Sequence, residues 1–395
     1  MKLWNEYKLN KEVEDFTVGQ DYILDQTLVP YDCVGSMAHA KMLGEIGVLT
    51  KKEVDKVVNE LQNLIRLNEK REFKIAKEEE DCHTAIENHL IRKLGDLGKK
   101  IHTGRSRNDQ VLTALRLYQK EELKNCRNLI HEFSEGIKHF TIKYGQVQFP
   151  GYTHTRKAMP SSIVLWGGSF VESMADNLKL VDIALDLVDQ SPLGTGAGYG
   201  VPLISVDREY TAKLLKFSRV QENPIYVQNS RGKFESTILH ALTQIMFDLN
   251  KLASELILFT LPELGYFEMA QEFCTGSSMM PQKRNPDVLE LVRAKYHVVL
   301  AYELQIKSLT SNLISGYHRD FQLTKAPVME GFKITQKCLS IMTLVLQNLK
   351  ANKEKCAQGL ASEVYATQEV YLLVEKGMPF RQAYHEVSRK YAQKK

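Results

Sequence analysis

The fold is decided by the stretch ILHALTQIMFDLNKLASELILFTL, residues 238–261, in which little of the helical circumference is polar. A helix that is apolar on all sides is buried on all sides. Either a thick core surrounds this helix, or subunits pack against it helix on helix. The stretch therefore favours a helical protein that forms a homo-oligomer.

Helical periodicity extends through most of the chain. Residues 51–71 place apolar side chains at helical spacing, and residues 109–144 predict one long helix starting at Asn108 or Asp109, both good N-caps. Several helices of roughly 25 residues joined by short links are typical of a helical bundle. The other long helices are predicted over residues 161–190, 235–260, 287–313 and 331–350.

Composition excludes several classes of protein. Among the 395 residues, 43% are hydrophobic, 25% are charged and the net charge is +4, so no nucleic-acid partner is indicated. The six cysteines form no CxxC pair, which argues against a zinc site or a disulfide framework and favours reduced thiols in the cytosol. No stretch approaches the ~20 apolar residues of a membrane helix. The N-terminus is too charged for a signal peptide.

Glycine concentrates in SPLGTGAGYGVP, residues 191–202, between predicted helices. The four glycines resemble a dinucleotide-binding loop only superficially, because no strand precedes them. A bend between bundle helices is the better interpretation.

Two polar stretches carry candidate binding and acid–base groups. In HTGRSRNDQ, residues 102–110, Arg105 and Arg107 precede a helix start, and both arginines and N-terminal amides bind carboxylates. Pairing of either arginine with a surface acid is the alternative. In GYTHTRKAMP, residues 151–160, Thr153 and His154 lie just before a buried helix. A histidine beside a hydroxyl is an acid–base candidate, although a structural role is the commoner one.

The stretch TGSSMMPQKRNPD, residues 275–287, combines a flexible loop with a helix start. Asn285 is predicted to cap the helix, which places Lys283 near the positive end of the helix dipole and favours a bound carboxylate or phosphate. Ser277 follows a glycine, and Glu290 falls one turn into the helix, where it can orient a histidine. The alternative is a mobile linker without chemistry.

The stretch YHRDFQLTK, residues 317–325, offers several donors for a polar substrate, although Arg319 and Asp320 can also pair with each other. Metal-ligand spacings and nucleophile-elbow motifs are missing from the sequence. Carboxylate-binding loops with one histidine and one mobile serine indicate proton chemistry on a multiply charged acid.

Together, these motifs resemble a known family. GSSMMPQKRNPD is similar to the signature loop of the fumarase/aspartase superfamily, and HTGRSRNDQ, GYTHTRKAMP and PYDCVGSMAHAKML narrow the resemblance to the argininosuccinate lyases. The motifs occur in the family's order and span almost the whole chain. The resemblance implies an all-α fold with a long central bundle, forming a 20-helix core in a homotetramer whose active sites are shared between subunits. The implied domains are residues 1–108, 109–350 and 351–395.

The implied activity is reversible cleavage of argininosuccinate to L-arginine and fumarate in cytoplasmic arginine biosynthesis, without cofactor or metal. By this resemblance, Ser277 is the base, His154 supplies or relays the proton to the leaving guanidinium, Glu290 orients His154, and Lys283 holds a succinyl carboxylate. The resemblance assigns the succinyl part of the substrate also to Arg107, Asn108, Thr153 and Asn285, with Ser106 supporting, and the arginine end to Tyr317, Gln322 and Lys325.

Two alternatives remain at this point. One is another fumarate-releasing C–N lyase that acts on a different N-substituted aspartate; the retained Tyr317, Gln322 and Lys325 favour the arginine end instead. The other is an inactive crystallin-like homologue, which the complete set of catalytic positions disfavours.

The sequence also departs from the family pattern. Asp21 stands where many members have a substrate-contacting serine, and an acid there can meet the amino or guanidinium group of the substrate. Residues 223–234, NPIYVQNSRGKF, also diverge from the usual form. The chain ends at KYAQKK, several dozen residues before the usual end, so a shortened C-terminal domain is expected.

Overall fold

The computed structural model describes residues 9–392, and this part of the chain is predominantly α-helical, as the sequence predicts. No helix within these residues is long and apolar enough to cross a membrane. The helices are α1 (Lys11–Val18), α2 (Asp21–Leu24), α3 (Val29–Glu45), α4 (Lys51–Glu69), α5 (Cys82–Leu94), α6 (Asp96–Lys100), α7 (Arg107–Tyr144), α8 (Ile163–Val188), α9 (Arg208–Leu214), α10 (Pro224–Asn229), α11 (Lys233–Phe259), α12 (Asp287–Thr310), α13 (Lys325–Asn348), α14 (Lys353–Gly359), α15 (Ala366–Glu375) and α16 (Phe380–Ala392).

Short two-stranded ladders and 3₁₀ turns complete the described part of the chain. β1 (Gln148–Thr153) pairs antiparallel with β2 (Arg156–Ser162), β3 (Gln190–Ser191) pairs parallel with β4 (Arg219–Val220), and β5 (Phe267–Glu268) pairs antiparallel with β6 (Lys350–Ala351). The 3₁₀ turns cover Asp25–Thr27, Lys77–Glu79, Gln271–Phe273, Arg319–Thr324 and Ser362–Tyr365.

The predicted long helices are confirmed, with shifted ends. α7 begins at Arg107 rather than after Asn108 or Asp109, because Ser106 is the residue whose hydroxyl accepts the Asn108 N–H at 3.2 Å. α13 begins at Lys325, six residues before the predicted start, so the last residue of YHRDFQLTK is already helical. α12 begins at Asp287, as the sequence predicts, and ends at Thr310, three residues before the predicted end.

The chain divides into two compact units, and the five long helices α7, α8, α11, α12 and α13 contribute residues to both. The first unit contains residues 1–126, 180–242 and 300–333. In it, α4 starts with a capping box between Thr50 and Glu53 and buries Val57, Leu61 and Leu64 on one face, as its spacing predicts. Where α13 crosses α11, a Cβ on Gly331 would lie 2.6 Å from Leu239 Cδ2, so glycine permits this close approach.

The second unit contains residues 127–179, 243–299 and 334–395. Its core is aromatic: Phe140, Phe149, Trp166, Phe259 and Phe267 lie within 5.1–6.4 Å of their ring neighbours, mostly edge to face. This packing supports the β1–β2 hairpin, since Phe149 belongs to β1. The division into three domains predicted from the sequence stays a prediction.

Candidate active site

The start of α7 is held by Asp109, whose side chain is fully buried. One of its carboxylate oxygens accepts the Ser106 N–H at 2.9 Å, and the other accepts the N–H groups of Gly194 and Gly196 at 2.9 and 3.0 Å. Burial raises the pKa of Asp109 to about 6, although the three N–H donors act in the opposite direction. The glycine-rich loop therefore binds a carboxylate of its own chain, which fixes the loop against the helix start.

Arg107, the first residue of α7, is paired with buried acids. Its guanidinium donates to Glu80 at 3.1 Å and makes a close ion pair with Asp81. Burial acts to lower the pKa of Arg107, but the two carboxylates outweigh it and raise that pKa above its ordinary value. The alternative that Arg107 pairs with an acid is thus correct for this structure, with acids that are buried rather than on the surface.

Glu80 also connects Arg107 to the 317–325 stretch. Arg319 makes a close ion pair with Glu80 and donates to the Thr17 carbonyl at 2.8 Å. Gln322 donates its Nε2 to the carbonyls of Thr17 and Val18 at 3.1 and 3.2 Å, which leaves its Oε1 as an acceptor for another group. The structure therefore brings residues 106–108 and 317–325 together around Glu80.

Lys325 lies at the end of that stretch with only 4% of its surface exposed. Its ammonium donates to Asp25 at 2.7 Å and pairs with Asp21 at 3.0 Å. Burial acts to lower the pKa of Lys325, but the two carboxylates raise it well above its ordinary value. Lys325 is therefore a permanently charged group held in place from two sides.

A second buried pair, which was not predicted from the sequence, supports this region. His83 makes a close ion pair with Asp32, whose carboxylate also accepts from Gln110 at 3.0 Å and from Ser36 at 3.0 Å. Burial acts to raise the pKa of Asp32, but His83 and its other partners lower it to about 2. The spacing of Asp32 and Ser36 by one helical turn inside PYDCVGSMAHAKML was the available signal. Arg105, the other candidate arginine, donates to Ser36 at 2.8 Å.

Asp25, Cys82 and His83 could in principle hold a metal ion, because each offers a ligand atom within 4.8 Å of the others. Asp25, however, already receives the Lys325 ammonium and the Cys82 N–H, and His83 already pairs with Asp32. Asp32 also raises the pKa of His83 against the effect of burial, and so favours the protonated ring, which cannot coordinate a metal. The cluster is therefore better described as a set of internal ion pairs.

In the second unit, the loop 275–287 is closed at its base. Thr275 and Asn285 exchange backbone hydrogen bonds at 3.0 and 2.9 Å, and Asn285 Nδ2 donates to the Gly276 carbonyl at 3.3 Å. The prediction that Asn285 caps α12 is therefore wrong. Asn285 pins the loop closed because its backbone is engaged in this antiparallel bridge.

Ser277, half-buried in that loop, accepts two backbone hydrogen bonds. Its Oγ receives the N–H groups of Met279 at 3.3 Å and Met280 at 3.1 Å. Donors aimed at an oxygen stabilise negative charge on it, so the Met279 and Met280 amides are placed to stabilise charge that develops on Ser277 Oγ.

Lys283, Asn285 and Glu290 line one groove of about 920 Å³ in the second unit. Lys283 and Glu290 are exposed, and the backbone N–H of Glu290 donates to the Pro286 carbonyl at 3.2 Å in the first turn of α12. The groove thus presents a cation, an amide and a carboxylate on one surface.

Thr153 and His154 lie at the tip of the β1–β2 hairpin, where Thr153 pairs with Arg156. The two turn residues, His154 and Thr155, have φ values of 51° and 57°, a left-handed conformation that residues with a side chain rarely adopt. Thr153 and His154 are both exposed. Among residues 9–392, no hydrogen bond or ion pair links the His154 ring to Glu290, so the predicted orientation of His154 by Glu290 is not formed within this single chain.

The predicted site residues divide equally between the two units. The first unit contains Ser106, Arg107, Asn108, Tyr317, Gln322 and Lys325, and the second contains Thr153, His154, Ser277, Lys283, Asn285 and Glu290.

Comparison with known proteins bears on this arrangement. A family model described as Lyase matches residues 6–301. An argininosuccinate lyase of Thermotoga neapolitana is 53% identical over the full chain, which covers 99% of that protein. One of Phocaeicola vulgatus is 40% identical over 98% of this chain and 86% of its own.

The chain belongs to the argininosuccinate lyase family.

The fold agrees with this assignment. A solved structure of an EDDS lyase variant with bound fumarate superposes with a TM-score of 0.80 at 23% identity, covering 92% of this chain and 72% of that one. The family motifs identified the loops and include Asp32, but they do not include the buried groups Asp25, Glu80, Asp81 and His83. Those four residues lie outside the motif stretches that they support.

Proposed function

We propose that this protein catalyses the reversible elimination of argininosuccinate to L-arginine and fumarate, as part of arginine biosynthesis in the cytoplasm. The observation that carries the proposal is the Ser277 hydroxyl, which accepts two amide hydrogen bonds in a loop that also carries Lys283 and Asn285. The identity of 53% over the whole chain to an argininosuccinate lyase supports the choice of substrate.

The reaction starts with removal of a proton from the carbon next to a carboxylate of the succinyl part. Ser277 is the proposed base, and the Met279 and Met280 amides stabilise its alkoxide. The electron pair left on carbon spreads onto the adjacent carboxylate, where Lys283 and Asn285 offset the growing charge. The C–N bond then breaks, and this proton chemistry requires no cofactor or metal.

The leaving guanidinium needs a proton, and His154 is the proposed donor or relay. Its place at the tip of a strained and exposed hairpin, next to Thr153, presents the ring outward to a substrate. Glu290 is proposed to orient this ring in the assembled site. Since the two side chains share no hydrogen bond or ion pair within the described residues of a single chain, this pairing requires a second subunit.

The first unit provides the proposed binding groups. Ser106, Arg107 and Asn108 form a helix start that favours a carboxylate of the succinyl part. The arginine end is assigned to the Tyr317 ring, the Gln322 Oε1 and the Lys325 ammonium. Asp21 and Asp25 fix the Lys325 ammonium, and the Thr17 and Val18 carbonyls fix the Gln322 amide, which supports a binding role for both.

A homotetramer with a 20-helix core is the proposed assembly, with each site built from several subunits. Large apolar side chains that remain exposed on the long helices support it, because such side chains need a partner surface. They include Leu165, Ile183, Phe247, Leu291 and Leu304, which are 45–68% exposed.

The deciding experiment is incubation of the purified protein with argininosuccinate while fumarate is followed by ultraviolet absorbance. We expect fumarate and L-arginine in equal amounts. If a folded protein released no fumarate from argininosuccinate but released it from another N-substituted aspartate, the substrate assignment would be wrong, and release from neither would indicate an inactive homologue.

A further inference from the structure

The β1–β2 hairpin that carries His154 at its tip is tied down by two hydrogen bonds to a distant part of the chain. The Tyr152 hydroxyl shares a hydrogen bond of 2.9 Å with the Tyr266 hydroxyl, and the Lys157 ammonium donates to the Gly359 carbonyl at 2.9 Å. We term these two hydrogen bonds the hairpin anchors. Tyr152 and Lys157 are cross-strand partners, so their side chains lie on the same face of the hairpin. The anchors therefore fix one face of the hairpin, two or three residues from His154.

The two partners of the hairpin anchors pack against each other. Tyr266 is only 2% exposed, and its carbonyl accepts the Asn352 N–H at 2.9 Å and the Cys356 thiol at 3.5 Å. A Cβ on Gly359 would lie 2.8 Å from the Tyr266 hydroxyl oxygen, so glycine permits this close approach. Burial and the Tyr152 hydroxyl both raise the pKa of Tyr266, which keeps its hydroxyl protonated. The hairpin is thus held against one well-packed surface.

The turn above the hairpin anchors is strained. His154 and Thr155 are the two central residues of a two-residue turn, and both have positive φ values, where asparagine and glycine are the usual residues. Thr155 is β-branched, which makes this conformation more costly for it. Its hydroxyl donates to the His154 carbonyl at 2.7 Å. Strained backbone of this kind persists where the surroundings hold it in place, and it is concentrated at functional sites.

We propose that Tyr266, Lys157 and Thr155 are positioning residues for His154. The hairpin anchors hold the hairpin in one orientation, and the strained turn sets the direction in which the His154 ring leaves its tip. This inference rests on the proposed function, in which His154 supplies or relays a proton. Proton transfer requires hydrogen-bond distance, so a hairpin that samples other orientations transfers the proton only in the productive fraction of the population.

A purely structural role for the same residues leads to a different expectation. The hairpin also covers the aromatic core of the second unit, because the Phe149 ring of β1 lies 6.1 Å from the Tyr266 ring. If the hairpin anchors and the turn served only that packing, activity would fall only where stability falls. A positioning role instead separates the two, because the productive orientation can be lost while the fold is kept.

The first test compares two variants of the turn. Glycine adopts the left-handed conformation without strain but adds backbone freedom. Thr155→Gly should therefore keep or raise the melting temperature while kcat/KM for argininosuccinate falls about tenfold or more. Thr155→Ser keeps the hydroxyl and should retain kcat/KM within about threefold. Equal kcat/KM in the two variants, or a loss in Thr155→Gly that is matched by a lower melting temperature, would overturn the role of the turn.

The second test removes the hairpin anchors. Tyr266→Phe combined with Lys157→Met should lower kcat/KM about 30-fold, and replacing Lys157→Met by Lys157→Arg, which restores a charged donor, should recover part of that loss. Tyr371→Phe at a 55% exposed ring and Lys179→Met in an exposed pair make the same chemical changes and should leave kcat/KM unchanged. Unchanged kcat/KM in the folded double variant, or no recovery with arginine, would overturn the role of the anchors.

Amide hydrogen exchange separates this proposal from the proposed function, because it requires no substrate. Peptides that cover residues 148–162 should exchange faster in the double anchor variant than in the wild type, while peptides of α11 should exchange equally in both. If the wild-type protein releases no fumarate from argininosuccinate, the proposed function fails, but faster exchange in the hairpin would still support its anchoring. Unchanged exchange in the hairpin would overturn the anchoring even in an active enzyme.

Discussion

The proposed binding groups and the proposed reactive groups are held in opposite ways. In the first unit, the binding groups Arg107 and Lys325 are held in what we term the buried ion-pair cluster, which comprises Arg107, Lys325, Asp21, Asp25, Asp32, Glu80, Asp81 and His83. The exposed Arg319 pairs with Glu80 at the edge of this cluster. In the second unit, by contrast, His154 and Lys283 are exposed, and among residues 9–392 Ser277 Oγ accepts hydrogen bonds only from amides of its own loop.

This difference indicates a division of labour. Recognition of a substrate with several charges requires fixed charges, and buried ion pairs provide them at a cost in solvation. Groups that must approach a substrate after it binds are better placed on a loop and a hairpin tip. The following predictions test that division.

The largest expected effect is on catalysis by the exposed loop. Ser277→Ala should lower the turnover number about 1,000-fold or more, because it removes the proposed base. The melting temperature should hardly change, since within the described part of the chain the hydroxyl is hydrogen-bonded only to the Met279 and Met280 amides of its own loop. Fumarate absorbance and circular dichroism measure the two effects, and Ser278→Ala is the matched control. Near-normal turnover by the alanine variant would show that Ser277 is not the base.

The next prediction tests whether exposed groups work across subunits. His154→Asn and Ser277→Ala should each be inactive alone, but hybrids formed by mixing and exchanging their subunits should recover part of the activity. Recovery requires that one site takes its histidine and its serine from different chains. Mass spectrometry checks the exchange, and hybrids without any recovered turnover would argue against shared sites.

Breaking the buried ion-pair cluster should instead affect stability. Lys325→Met leaves Asp21 and Asp25 without their cation and should lower the free energy of unfolding by about 3–5 kcal/mol, as well as weakening the arginine end. Lys333→Met, in an exposed pair with Glu330 at 3.3 Å, should change it by less than about 1 kcal/mol. Chemical denaturation measures the free energy of unfolding of both variants. Similar losses in the two would contradict the claim that the buried ion pairs stabilise the fold more than the exposed one.

The smallest expected effect is a pH dependence from the Asp32–His83 pair. The folded pKa of Asp32 is lowered to about 2, so its stabilisation is present above the ordinary value of 3.8 and is lost as the pH falls towards 2. The pKa of His83 is raised, so its stabilisation is complete below 6.5 and is lost as the pH rises through the folded value.

His83→Gln should therefore flatten the pH profile of the free energy of unfolding on both sides, by an amount on the order of 2 kcal/mol on the acid side. His102→Gln, which changes an exposed histidine near Glu87, is the control. An unchanged pH profile in His83→Gln would mean that the Asp32–His83 pair does not cause the pH dependence of the free energy of unfolding.

The sequence predicted the helical fold well because helices depend on local spacing. The apolar face of α4 and the apolar run in α11 can both be predicted from residues that are close together in sequence. The start of α7 was misassigned because Ser106 competes with Asn108 and Asp109 as a cap. The pattern of a serine followed by an acid three residues later could have indicated the correct start.

The candidate site was predictable only where the family motifs lie. Ser277, His154 and Lys283 stand in such motifs. Asp25, His83 and Tyr266 do not, and their importance arises from contacts such as that between Lys325 and Asp25, which are 300 positions apart. Helical periodicity in the sequence gives no information about a contact between residues so far apart in the chain.

By itself, therefore, the sequence determined the helices, the motif loops and the family, because short-range patterns encode all three. The tertiary structure alone decided which charges are buried together. It placed Glu80 between Arg107 and Arg319, gave Ser277 its two amide donors, and paired the Tyr152 hydroxyl with that of Tyr266. The physical reason is that solvation and ion pairing depend on the whole surroundings of a group, and folding assembles those surroundings from distant segments.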